Sequence, residues 1–386
     1  MLESLFSPLR VGGVTLRNRI CMAPCSRHRA HLDGTPSAMM VEHYRQRASA
    51  GLIVAEATAC SAMGTGFLFV PGIYTDAHVA GWRAVTDAVH AEGGAIFLQV
   101  EHVGRLSDPL LLPSGSLPFA PSAVQPDPTA RHYTINCPRP KRVYGEPHAM
   151  TLAEIQSTIG EFAAASRRAR EAGFDGVEVH AASGYLPMQF LSTNTNRRTD
   201  QYGGSVANRA RFLLEVVEAM QAATAKSFVA VKIGPGWTYH DVFDEDPIAT
   251  YSHVTAQLSS MDIAYLQVGN FNQDWDVTAT MRRHFKGPLM GVKGFNRMDA
   301  GQAISNGLVD LVAYGQAFIA NPDLIERFRK GLPLNVPDPE TFYTQGVAGY
   351  NDYPLHSEAD PANTVPVDSL FGASASGRAK RPQPVS

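Results

Sequence analysis

Residues 151–185 read TLAEIQSTIGEFAAASRRAREAGFDGVEVHAASGY, from Thr151 to Tyr185. The first part, Thr151–Ala172, is an amphipathic helical pattern. Thr151 with Glu154 three residues later has the form of a capping box, and Gly173 stands at the C-cap. The run Gly176–His180 follows at once, short, apolar and β-branched, as a parallel strand buried on both faces should be. A helix feeding directly into such a strand is one turn of an alternating α/β chain.

The same alternation extends in both directions. Strand-like runs fall at Ile20–Ala23, Leu52–Glu56, Ala95–Gln99, Val229–Ile233, Tyr265–Gly269, Pro288–Val292 and Leu311–Gly315. Helical patterns fall at Ala80–Ala91, Val206–Ala223, Asp246–Ser259 and Arg297–Asn306. Eight strands alternating with helices predict a single (β/α)₈ TIM barrel over residues 1–368. An open doubly wound sheet is the rival, but no G-x-G-x-x-G fingerprint follows any of these strands. A Pro-rich insertion, Leu106–His148, follows the third strand and reads as a capping excursion over the barrel mouth. The tail Ser369–Ser386 is small, polar and Pro-containing, the composition of a disordered end.

The whole-chain numbers narrow the function classes. With 386 residues, 44% hydrophobic, 18% charged and a net charge of −3, this is the profile of a globular protein with a sizeable core. That charge gives no reason to expect nucleic acid or an anionic membrane as partner. The N-terminus MLESLFSPLRVGG lacks the basic patch and apolar run of a signal peptide, and no stretch approaches a transmembrane span. Cys21, Cys25, Cys60 and Cys137 show no metal-ligand spacing and suit a reducing compartment. The expectation is a cytoplasmic protein without a metal, as monomer or homodimer.

In such a barrel the chemistry lies at the C-terminal strand ends. Those ends carry Pro24, Cys25 and Ser26; Glu56 and Ala57; Gln99; His180; and Lys232. Strands seven and eight end in Gly291–Gly294 and in Gly315 with Gln316. Glycine loops there are where barrels hold a phosphate on unshielded backbone N–H groups.

Several motifs make the reading specific. GFDGVEVHAASGYLPMQFL at 173–191 continues into NRRTDQYGGS at 196–205 and NR at 208–209. LFSP at 5–8, LRNR at 16–19, PGIY at 71–74, HVGR at 102–105 and ANPDL at 320–324 occur in matching order. On these motifs the chain resembles the old yellow enzyme family, FMN-dependent oxidoreductases that reduce electron-poor alkenes with NAD(P)H. The resemblance implies an FMN ring across the mouth, touched by Pro24, Ser26, Ala57, Gln99 and Lys232. It places the phosphate on backbone near Gly294, Gly315 and Gln316, with Phe342 and Tyr343 bordering the pocket. His180 and Ser183 match the pair that binds the substrate oxygen, and Tyr185 matches the proton donor. His102 and Arg105 read as structural, and Asp200, Asn208 and Arg209 as organisers of the loop after strand four.

Four positions depart from the family pattern. Ser183 stands where Asn or His is usual, Lys232 and Gln316 where Arg is usual, and Glu101 where an aromatic or small residue is common. Loss of a bidentate guanidinium at Gln316 should weaken FMN binding. The leading reading is an NAD(P)H-dependent ene-reductase acting on α,β-unsaturated carbonyls or similar alkenes. A second makes the barrel a biosynthetic enzyme using flavin and Tyr185 for isomerisation or desaturation. A third is a ligand-binding barrel without FMN.

Overall fold

A computed structural model describes residues 2–127, 143–270 and 274–369. Eight parallel strands run in chain order: β1 (Ile20–Met22), β2 (Leu52–Ala59), β3 (Ile96–Glu101), β4 (Gly176–Ala181), β5 (Val229–Ile233), β6 (Leu266–Gly269), β7 (Leu289–Val292) and β8 (Leu311–Tyr314). Each pairs with the next, and β8 pairs back onto β1, so the sheet is a closed barrel rather than an open sheet. Every predicted strand is found. β2 and β3 continue past their predicted ends, to Ala59 and Glu101.

The helices pack outside. They include α1 (Ala38–Gln46), α2 (Asp76–Ala91), α3 (Leu152–Glu171), α4 (Leu186–Leu191), α5 (Val206–Ala223), α6 (Pro247–Ser260), α7 (Val277–His284), α8 (Arg297–Ser305), α9 (Gln316–Ala320) and α10 (Leu324–Lys330). Thr151 and Glu154 cap α3 reciprocally, as the sequence predicts. Past its end Gly173 takes φ +92°, which a side chain would resist, and Phe174 N–H returns to the Ala169 carbonyl.

Period-two alternation divides each strand between two cores. Ile96, Leu98 and Val100 of β3 face the helices, while Phe97 packs in the lumen with Cys21, Leu52, Val54, Tyr265 and Met290. An N-terminal hairpin, Leu9–Val11 with Val14–Leu16, plugs that inner core through Val11 and Leu16. Burying one such aliphatic or aromatic side chain contributes about 1.5–3 kcal/mol, so the plugged end is a stability feature and leaves the other end for chemistry.

In the described part of the insertion after β3, Phe119–Ala120 pairs in parallel with His148–Ala149. Residues 128–142, Cys137 among them, lie outside the described residues, as do 370–386 of the tail expected to be disordered.

Candidate active site

Polar residues fill the upper lumen. Because Phe97 faces inward, so do Gln99 and Glu101 two and four residues on. By the same rule β4 directs Glu178 and His180 inward, and β5 directs Lys232. The register sets His180 beside Lys232, and Lys232 beside Gln267 of β6.

Glu178 is the hub of this layer. Gln99 Nε2 donates to its Oε1 at 2.7 Å, and Tyr265 Oη donates to its Oε2 at 2.9 Å. The Gln267 amide, oriented with Nε2 towards the carboxylate, adds contacts of 3.2 and 3.0 Å. Burial pushes the Glu178 carboxyl up, and the nearby Lys232 ammonium opposes that rise. Burial likewise lowers Lys232, with Glu178 opposing. The Glu178 carboxylate is satisfied through neutral hydrogen-bond donors, as a dry interior requires, and Lys232 acts on it as a nearby charge.

Above the hub, the chain leaves β4 through a tight turn. Ser183 sits at φ +59° and Gly184 at +80°. A Cβ on Gly184 would lie 2.9 Å from the Tyr239 carbonyl oxygen, so only glycine fits there. The turn brings Tyr185 back over His180, their rings edge-to-face with centroids 4.8 Å apart. His240 supports it, its Nδ1 at 2.7 Å from the Ser183 carbonyl and its ring stacked beside Tyr185. Burial, and then Lys232, hold His180 well below the usual imidazole range. Its Nδ1 is buried without a hydrogen-bond partner among the described residues. Burial, and then the Glu101 carboxyl, push the Tyr185 phenol well up. His180 is therefore a neutral imidazole and Tyr185 a neutral phenol at pH 7.

The glycine loops meet on the opposite side of the mouth. Strands β7 and β8 are in register at Val292 and Ala313, so Lys293-Gly294 lies alongside Tyr314-Gly315. Gly294 (φ +93°) has open space where a Cβ would stand, and Gly315 faces the Cys25 Sγ. Gln316 and Lys293 are exposed on these two loops. Bare backbone at two adjacent strand ends, with buried Lys232 and Gln99 at the lumen top, fits a flavin mononucleotide. Backbone near Gly294, Gly315 and Gln316 would hold its phosphate, and Pro24, Ser26, Ala57, Gln99 and Lys232 would border its ring.

Ala57 faces the mouth because β2 is irregular between Ala55 and Thr58. The irregularity turns Glu56 outward, where Tyr44 Oη and the Arg27 N–H each donate to it at 3.2 Å. Burial raises the Glu56 carboxyl to about 7.

Phe342 and Tyr343 close the rim; Phe342 is buried, and Tyr343, half exposed, packs on the ring of His28. Two buried arginines of the β1 loop fix this segment. Arg27 donates to the carbonyls of Phe342 (3.0 Å) and Gly349 (2.7 Å). Arg29 donates to those of Thr341, Phe342, Gly346 and Ala348.

The structure thus brings all the sequence-predicted site residues to one end of the barrel. His102 and Arg105 are buried; Arg105 spends its guanidinium on the carbonyls of Val124, His240 and Asp241, a structural task. Asn208 and Arg209 tie the loop after β4 through the carbonyls of Gly203, Leu191 and Gly204, and Asp200 pairs with Arg198. Glu178, Gln267 and Tyr265 were not anticipated, although period-two alternation along GVEVH puts Glu178 on the His180 face.

The chain is similar to known proteins in sequence and fold. Residues 4–335 match the NADH:flavin oxidoreductase / NADH oxidase family. A probable flavin mononucleotide-dependent alkene reductase of Leishmania infantum is 44% identical over 359 residues, covering 92% of this chain and 98% of that protein. The structure of morphinone reductase in complex with tetrahydroNAD superposes with a TM-score of 0.87 at 42% identity, covering 93% of this chain and 98% of that one. The old yellow enzyme of Trypanosoma cruzi gives a TM-score of 0.88 at 37% identity, covering 92% and 99%. With such a match across nearly its whole length, the chain belongs to the NADH:flavin oxidoreductase / NADH oxidase family.

Proposed function

We propose that His180 and Ser183 hold the activating oxygen of an electron-poor alkene, and that Tyr185 protonates its α-carbon. The protein is an FMN-dependent oxidoreductase that reduces the activated C=C of α,β-unsaturated carbonyls and similar alkenes with NAD(P)H. FMN supplies, when bound, the hydride that NAD(P)H provides.

The observation that carries the residue roles is the unpartnered His180 Nδ1 beneath the Tyr185 ring. Negative charge grows on the substrate oxygen as the β-carbon is reduced. A preorganised donor at that oxygen, worth about 2.7–4 kcal/mol in comparable sites, stabilises the transition state. A neutral imidazole can give such a hydrogen bond but is a poor proton source. The neighbouring phenol keeps its proton at pH 7 and can deliver it to carbon. Ser183 contributes a hydroxyl with shorter reach than an amide. Gln99, Lys232 and the glycine loops bind and orient the cofactor, and Phe342 and Tyr343 keep water out of the rim.

The same reading places residues 1–368 in one FMN-binding unit, in the cytoplasm, as monomer or homodimer, with neither membrane nor nucleic acid as partner. Among the described residues no helix is long and apolar enough to cross a membrane. The test is the visible spectrum of the purified protein together with NADPH oxidation in the presence of 2-cyclohexenone. A flavin band and alkene-dependent oxidation are expected; a protein that stays colourless with added FMN would overturn the reading.

A further inference from the structure

We propose that Glu101 receives a hydrogen-bond donor of the substrate, so that the preferred acceptor is an electron-poor alkene carrying a hydroxyl or N–H group beyond its double bond. This rests on the reductase reading above and specifies its substrate class.

Glu101 is the last residue of β3 and faces the lumen, two steps above Gln99. The β3–β4 register pairs Val100 with Val179, so Glu101 and His180, the next residue on each strand, stand abreast at the mouth. On the other side Ala59 of β2 is its partner, too small to cover it. Glu101 is 2% exposed, and its Oε2 has no hydrogen-bond partner among the described residues. The carboxyl is close enough to Tyr185 to raise that phenol. It thus stands at the barrel mouth level with His180, where the reading above puts the substrate.

A buried carboxyl oxygen without a partner costs stability, and no hydrogen bond among the described residues offsets it. One layer down, Gln99 and Glu178 satisfy each other, whereas at the mouth the Glu101 Oε2 and the His180 Nδ1 are both left without partners among the described residues. A ligand donor at the mouth would supply that partner. Burial, followed by Glu56, raises the Glu101 carboxyl to about 8. In the free enzyme it is mostly neutral, with one oxygen still able to accept. A hydroxyl or N–H satisfies that oxygen directly, and a protonated amine would additionally draw the group into its ionised form.

The experiment uses the FMN-loaded protein and titrates its flavin absorbance with 4- and 5-hydroxy-2-cyclohexenone. The methyl ethers and the methyl analogues serve as controls. At least one hydroxy isomer is expected to bind about tenfold more tightly than its methoxy and methyl counterparts, the scale of one buried hydrogen bond. In E101L this ratio should collapse to about one; E101Q, whose amide oxygen still accepts, should keep most of it. Equal affinities across the set in wild type, a methoxy compound as tight as its alcohol, or an undiminished ratio in E101L would each overturn the inference alone. If wild type also fails to turn over 2-cyclohexenone, the reductase reading falls with it.

Discussion

Gln99 and Glu178 meet inside the barrel, the Gln99 Nε2 lying 2.7 Å from the Glu178 Oε1, and their bond ties β3 to β4 directly beneath the mouth. The carboxylate also gathers Tyr265, Gln267 and the charge of Lys232. Two residues that would touch the flavin, Gln99 and Lys232, are therefore positioned by one that would not. Glu178→Leu should cost about 3–5 kcal/mol by leaving Lys232 as a buried charge without its partner. It should also release FMN more readily. Urea unfolding and retained flavin per protein measure both, and a variant as stable and as yellow as wild type would remove Glu178 from this role.

The glycine loops that would hold the phosphate carry exposed Lys293 and Gln316, where a fork-shaped cation would bind better. Gln316→Arg should tighten FMN about tenfold. Fluorescence quenching during reconstitution of the apoprotein gives the dissociation constant. An unchanged constant would show that Lys293 and the backbone already saturate the site.

Ser183 adopts φ +59°, a region that asparagine tolerates better than serine. Ser183→Asn is expected to stabilise the turn by about 0.5 kcal/mol and to lower KM, because the longer amide reaches further towards the substrate oxygen. Thermal melts and steady-state kinetics read the two effects separately. A higher KM would mean that the pocket is shaped for the smaller hydroxyl.

Tyr185→Phe removes the proton source while retaining the ring that packs on His180. Alkene turnover should fall by about 10²–10⁴ in kcat. Reduction of the bound flavin by NADPH should proceed near its usual rate. Rapid-mixing absorbance separates the two half-reactions, and an unimpaired alkene step would assign protonation to another group.

Glu101 carries a pH signature of its own. Its folded value, near 8, lies above that of an ordinary carboxyl. The folded state thus holds a proton that the unfolded chain releases near pH 4.5. The associated stability is complete below about pH 4.5 and is lost as pH rises towards 8, at about 1.4 kcal/mol per pH unit for one proton. Compared with E101Q, wild type should lose stability across that window. Parallel Tm curves for the two proteins between pH 5 and 8 would contradict the assignment.

The barrel was legible because each strand is a short β-branched run bounded by turn residues, and helical spacing is clear in α3 and α5. The short helices α4 and α9 were not, since six and five residues give no periodicity to read. Site residues at strand ends could be located from sequence, because in this architecture strand ends and chemistry coincide. What could not be seen is partnership over distance. Nothing near Arg27 or Arg29 announces carbonyls more than 300 residues away. Gln267 and Tyr265 acquire meaning only when closure brings β6 around to face β4.

The arginine clamp on the rim also sets an order of events during synthesis. Arg27 and Arg29 leave the ribosome more than 300 residues before their carbonyl acceptors, from Thr341 to Gly349. Until then both guanidiniums must stay hydrated, so the β1 loop cannot take its final form on a nascent chain. The wall made by the first barrel strand is completed by a segment synthesised more than 300 residues later. A chain cut before residue 341 could close its eight strands and still lack a finished pocket.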